Sequence, residues 1–84
     1  MNHPNIDPSI RLVREAWVLR HLDGSWSAYM TAESAWAAKV PGIGKDPFPA
    51  ITPKDEPIES PLRDSGITGG TVFVWQGRAV KINP

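Results

Sequence analysis

The sequence predicts a small α+β domain: two β-hairpins forming one antiparallel sheet, one α-helix packed on it, and a long extended Pro-rich segment. Three observations carry this expectation. Asp23-Gly24 separates two alternating runs, Gln76-Gly77 separates two more, and Thr31 opens a run of helix formers between them. The 84 residues make a single domain spanning 1–84. A chain this short buries only roughly 60–65% of the surface its unfolded form exposes. Its core must therefore rest on large side chains, here four Trp, two Phe and one Tyr, since an aromatic buries roughly 150–250 Å².

Residues 1–7 read as a flexible lead-in. Asp7-Pro8-Ser9 has the form of a helix start, with Asp7 as N-cap and Pro8 at the first helical position, giving a short helix or turn at 8–14. Beyond it the 3.6-residue pattern fails: Val18, Leu19 and Leu22 would point almost all round a helix. A strand accommodates 16–22, and Asp-Gly is a strong signal for a two-residue type I′ hairpin loop. That loop pairs Leu22 with Ser25, His21 with Trp26, Leu19 with Ala28 and Trp17 with Met30 in a hairpin over 16–30. One face then carries Trp17, Leu19, His21, Trp26, Ala28 and Met30; the other carries Val18, Arg20, Leu22, Ser25, Ser27 and Tyr29. The rival reading is one helix over 8–22.

Thr31 is placed to cap a helix over 32–40, with Glu33 near its positive end, Ala32, Trp36 and Val40 on one face, and Gly42 as the stop. Near the C-terminus, 71–75 and 78–82 flank Gln76-Gly77 as a second hairpin, with Phe73, Trp75, Val80 and Ile82 facing inward. Between these elements, 41–70 shows no period and reads as an extended Pro/Gly-rich segment. Its stretch PAITPKDEPIESP sets Pro49, Pro53, Pro57 and Pro61 four residues apart. Each proline removes a donor, fixes φ near −65° and pushes the preceding residue toward extended backbone. Phe48, Ile51, Ile58 and Leu62 punctuate the segment and are expected to turn inward, so ordered packing is favoured over disorder.

Several activities find no support. Nine basic residues balance nine acidic ones, so no global field draws the chain to phosphate backbones. Asp46, Asp55, Glu56, Glu59 and Asp64 crowd the proline region. Cysteine is absent, which excludes disulfides, thiolate zinc sites and cysteine nucleophiles. The start MNHPNIDPSIRL lacks the basic and apolar regions of a secretory signal, and no apolar run approaches the roughly 18 residues of a membrane span. A cytoplasmic protein without membrane contact is expected. The prolines fall at i, i+4 and miss the three-residue repeat of PxxP ligands. Thr52-Pro53 and Ser60-Pro61 are turn formers before they are modification sites. Pro41-Gly-Ile-Gly-Lys45 lacks the strand-to-helix context of a phosphate loop and reads as a helix stop and a turn. His3 lies in the lead-in and His21 beside a turn, Asp55-Glu56 lack a low-dielectric pocket, and no cofactor or metal is called for. The chain reads as no enzyme.

The strand–strand–helix order over 16–39, ending in Thr31-Ala-Glu-Ser-Ala-Trp-Ala-Ala-Lys39, is similar to small DNA-binding domains of the integrase-arm type. Those domains lay a basic three-stranded sheet in the major groove. Only Arg14 and Arg20 stand near the sheet here and no third strand is evident, so no family is assigned.

What remains is a binding surface. Val18, Arg20, Leu22 and Tyr29 combine aliphatic, aromatic and guanidinium groups on one hairpin face, the composition of interface hot spots. Trp75 and Arg78 are expected as cross-strand neighbours forming a cation–π pair. The expected function is a non-enzymatic protein-binding module of adaptor or inhibitor type, an accessory protein such as phages and mobile elements carry. The alternative is a small nucleic-acid-binding protein using a sheet face with Arg11, Arg14, Arg20, Arg78 and Lys81.

Overall fold

The computed structural model describes residues 8–83; the flexible lead-in expected over 1–7 and the Asp7 cap lie outside the described residues. Six strands and two helices follow in the order β1 (Ile10–Val13), β2 (Glu15–Arg20), β3 (Trp26–Tyr29), α1 (Ala32–Ala38), β4 (Phe48–Ile51), α2 (Glu59–Ser65), β5 (Gly70–Trp75) and β6 (Arg78–Lys81). The α+β expectation holds. The single sheet does not: the strands form two three-stranded sheets, β1-β5-β6 and β3-β2-β4.

Alternation along the strands explains how the two sheets meet. Ala16 and Val18 of β2, Ala28 of β3 and Ala50 of β4 face Phe73 of β5 in one core, with Val13 of β1 and Val80 of β6 at its margin. Each sheet keeps a second apolar face, and a helix covers it. Leu19 and Tyr29 pack with Ala35 of α1, while Val72 and Val74 pack with Ile58 and Leu62 at α2. The layers thus run helix, sheet, sheet, helix. β5 is apolar on both sides because both of its faces are covered.

Residues 8–14 correct the expected helix or turn. Ile10–Val13 is a strand, parallel to β5 with Leu12 opposite Val72. The apolar residues Ile10, Leu12 and Val13 suit a helix face as well as a strand, since four residues cannot separate the two periods. The chain then turns at Arg14 and enters β2 in the other sheet.

The first hairpin forms, but one residue out of the expected register. Trp17 pairs with Tyr29, Val18 with Ala28 and Arg20 with Trp26. The loop closes through His21 N–H to Ser25 O (2.9 Å) and Gly24 N–H to His21 O (3.0 Å), leaving Leu22, Asp23 and Gly24 as a three-residue loop. A type I′ loop would need positive φ at Asp23. Among the described residues Gln76 is the only non-glycine with positive φ, while Gly24 sits at 90°. Asp23 instead accepts from the Ser25 backbone N–H (2.9 Å) and hydroxyl (2.6 Å), a side-chain turn that competes with the tighter loop. One residue of slip exchanges the faces of the returning strand. Tyr29 thereby goes under α1, and Ala28 and Trp26 join Val18 inside.

The second hairpin matches its expectation. Gln76 and Gly77 have φ of 52° and 75°, the pair of positive angles a type I′ loop requires. Phe73 pairs with Val80 and Trp75 with Arg78, and Phe73, Trp75, Val80 and Ile82 all face the inter-sheet core.

The segment 41–70 is not one extended stretch. It contains β4 and α2, and every proline of the four-residue series sits where no N–H is needed. In β4 the Thr52 N–H to Arg14 O bond (2.8 Å) makes the even-numbered residues those that face β2. Pro49, opposite Trp17, therefore turns its missing donor toward the open edge, where a proline blunts edge-to-edge pairing. Pro53 begins a turn closed by Glu56 N–H to Pro53 O (3.1 Å). Pro57 lies just ahead of α2, and Pro61 is in its first turn, whose N–H groups have no helical partner. Of the four residues expected to turn inward, Ile58 and Leu62 are buried and Phe48 joins the core margin, whereas Ile51 is exposed.

Two side chains tie this segment down. Thr52 is buried and its hydroxyl donates to the Val74 carbonyl, joining one sheet to the other. Arg14 Nη1 donates to the carbonyls of Pro53 and Glu56, the latter at 3.1 Å. At the far end Asn83 N–H donates to Ala28 O (2.9 Å), so the sheets are joined at both ends.

Candidate functional site

Most of the residues expected to form the docking face do not share a surface. Val18 is fully buried between the sheets, and Tyr29 is buried on the opposite face beneath α1. Both are withdrawn as contact residues. Arg20 follows Val18 onto the inner face at the end of β2, where its guanidinium lies over the Trp75 ring, 5.9 Å from the centroid. The cation over Trp75 is thus Arg20; Arg78, although opposite Trp75 in the ladder, lines a separate shallow hollow with Ser60, Asp64 and Gly77. Trp75 itself is held by Trp26 edge-on (5.2 Å), Phe48 (5.8 Å) and Phe73 stacked at 16° (6.3 Å). Its role is to close one end of the core.

Arg20 and Arg78 are exposed as charged residues usually are, while Leu22 is the apolar residue of the six that stands out, at 79% exposure. Its place in the three-residue loop accounts for this, because loop residues have no sheet face to enter. Leu22 does not stand by itself. The chain leaving α1 runs past the same end of β2, with Gly44 close to the Arg20 carbonyl. There Val40-Pro41-Gly42-Ile43 forms a turn closed by Ile43 N–H to Val40 O (3.1 Å), with Gly42 at φ 77°. Proline followed by a left-handed glycine is the pattern of a type II turn, and it holds Val40 and Ile43 outward at 57% and 49% exposure.

Between the loop and this turn lies a groove of about 380 Å³, floored by Leu19 and Ala38 and bordered by Leu22, Val40 and Ile43. His21, Asp23 and Lys39 supply its polar side chains. Val40 and Ile43 are not among the expected contact residues; Val40 is expected inside a helix over 32–40, sharing a face with Ala32 and Trp36, whereas α1 ends at Ala38. Ala35 is the buried residue of α1, and Trp36 is half exposed. Pro41-Gly42 is a legible turn signal, but nothing local shows on which side of the fold its flanking aliphatics lie. A second hollow, on the outer face of β2 and β4, is lined by Trp17, Met30, Pro49 and Ile51, with Glu15 its one charged wall.

The titratable groups of the groove are few. The Ser25 hydroxyl, then its backbone N–H, holds the Asp23 carboxyl below its ordinary value of 3.8, with nearby His21 adding to the effect. A depressed carboxyl stabilises the fold above the unfolded value and loses that contribution as pH falls through the folded one. The hairpin loop is therefore expected to keep its Asp23–Ser25 bonds down to about pH 4 and to release them below it. In an NMR titration the Ser25 amide should move with the Asp23 carboxyl at a midpoint below 3.8; a midpoint at or above that value contradicts the bond.

His21 Nε2 and Ser27 Oγ lie 2.7 Å apart, the spacing of a base and a nucleophile. The third member is engaged elsewhere, because Asp23 serves Ser25. The pair is also open to solvent, where a developing oxyanion meets water and no aimed donors. The bond pins the two strands above the loop. Among the described residues no three His, Asp or Glu side chains converge to hold a metal ion, and no helix is long and apolar enough to cross a membrane.

The sheet β3-β2-β4 with α1 against it does contain the third strand of the DNA-reading arrangement. The face such a domain would lay in a groove is here buried against Phe73. Compared with protein-family models, curated proteins and solved structures, the chain matches none.

Proposed function

We propose that this chain is a non-enzymatic protein-binding module, a cytoplasmic accessory protein of adaptor or inhibitor type, that docks its partner in the groove between the first hairpin loop and the turn after α1. One observation carries the reading: Leu22, Val40 and Ile43 are exposed together around a single concavity. Scattered exposed aliphatics are ordinary on any surface, whereas convergent ones around a groove mark interaction sites. Each can add roughly 1–2 kcal/mol when covered, enough for a small hot spot. The groove is also built on fixed turns, which lowers the ordering cost of binding.

The test is Leu22→Ser with Ile43→Ser. A photo-cross-linker placed at residue 22 identifies the partner, and the affinity of that partner is then measured directly. The double variant is expected to weaken binding about tenfold or more while its thermal unfolding midpoint stays close to that of the parent. Undiminished affinity overturns the reading.

Nucleic-acid binding is the weaker alternative. Arg14 is committed to the Pro53 and Glu56 carbonyls and Arg20 to Trp75. Arg78 lines the hollow beside Asp64 of α2 at one end of β6, and Lys81 lies opposite Val72 at the other end. These cations do not line a common face, and a phosphate-tracking surface needs that alignment.

A further inference from the structure

We infer that the groove's occupant is a short apolar peptide segment bearing carboxylates. The inference rests on the docking reading above and adds the chemistry of the partner. Since the Arg20 guanidinium is turned to Trp75 on the inner face, Lys39 is the permanent cation of the groove, beside His21 and one carboxylate, Asp23. That carboxylate is already spoken for by both the amide and the hydroxyl of Ser25. Among the described residues the Lys39 ammonium reaches only the Val40 carbonyl, at 3.5 Å, the outer limit of a hydrogen bond. Lys39 also ends α1, where its own N–H closes the last turn on Trp36 O (3.2 Å). Its charge therefore stands beside the apolar lining without an anionic partner among the described residues.

A carboxylate arriving with an aliphatic side chain would meet that charge while the aliphatic group covers Leu22, Val40 or Ile43. A basic segment would set like charges side by side. Size narrows the occupant further. At about 380 Å³ the groove lies toward the small end of ligand clefts, which span roughly 300–1,000 Å³. It admits a few side chains of one segment. A lipid surface, by contrast, calls for a broad apolar face with a basic cluster, and this site is concave with a single lysine beside it.

The test uses the full chain and three synthetic peptides of one leucine-rich pattern, carrying two glutamates, two glutamines or two lysines. Titration at about 0.15 M salt, where the screening length is about 8 Å, is expected to rank them glutamate, glutamine, lysine. Each step should be about threefold in Kd, the size of one solvent-exposed charge pair. Lys39→Glu should invert the order, Lys39→Gln should flatten it, and Leu22→Ser should weaken all three. Equal binding of the three peptides, still lost with Leu22→Ser, would leave the groove as a docking site and overturn the acidic partner. An order unchanged in Lys39→Glu, or a preference for lysine, overturns it equally. No binding by any peptide overturns both the inference and the docking reading. Displacement of the glutamate peptide by anionic vesicles would assign the site to lipid and end the proposal.

Discussion

Phe73→Ala is expected to abolish cooperative unfolding at 25 °C. Phe73 is wholly inaccessible to solvent, on the central strand of its sheet, with its ring between the two sheets. It meets Trp26 edge-on at 6.2 Å and lies nearly parallel to Trp75 at 6.3 Å. Removing a buried phenylalanine costs about 3–5 kcal/mol, the loss of transfer energy plus the cavity left behind. A chain this small has a total stability of about 5 kcal/mol, toward the bottom of the usual range. The loss therefore consumes most of what holds the fold. Urea titration followed by tryptophan fluorescence reads the effect, with Trp36→Ala as the control. Trp36 is 47% exposed on α1, and its removal should cost about 1 kcal/mol or less. A sharp transition in Phe73→Ala, displaced by less than about 1 kcal/mol, would mean that the two sheets share no core.

Arg14→Ala is expected to cost about 2 kcal/mol and to act locally. The guanidinium stands at the corner where the chain crosses from one sheet to the other, and it holds the carbonyls of Pro53 and Glu56. Hydrogen bonds from a charged donor are worth about 1.5–3 kcal/mol each when shielded. One of these bonds is exposed and the other partly buried, so the pair should contribute about as much as one shielded bond. Arg14→Lys keeps a donor in reach and should recover about half of that. Hydrogen exchange separates this from a general weakening: the Glu56 amide, bonded to Pro53 O, should exchange faster in Arg14→Ala while amides of β5 and β6 keep their protection relative to global stability. Uniform acceleration across both regions would contradict the clamp.

Legibility followed the range of the interaction responsible. The Gln76-Gly77 hairpin and the Thr31 cap were both readable, because each is settled within a few residues. Thr31 Oγ1 accepts from Ser34 N–H at 3.1 Å, a bond that needs nothing beyond the local chain. The first hairpin was readable as a hairpin and unreadable in register. Its loop length turned on whether Asp23 adopts positive φ or bonds Ser25, two states close in energy locally. The covering of Tyr29 by α1 favours the second.

The candidate site was the least legible part. Leu22 was identified, but as a member of a face that burial dissolved. Val40 and Ile43 became site residues only because the turn after α1 lies against the end of β2. Nothing in the sequence around residue 40 refers to residue 22.

Composition and local pattern by themselves determined a small α+β fold, without cysteine chemistry, with two reversing loops and a capped helix. Those outcomes depend on backbone preferences and on side chains a few positions apart. Tertiary packing alone decided that the strands divide into two sheets, that 10–13 pairs in parallel with a strand sixty residues later, and that Val18 is core and Leu22 surface. The reason is that a strand's apolar residues show that a face is buried but not what buries it. Which of several apolar surfaces meet is settled by the one arrangement that covers them all at once.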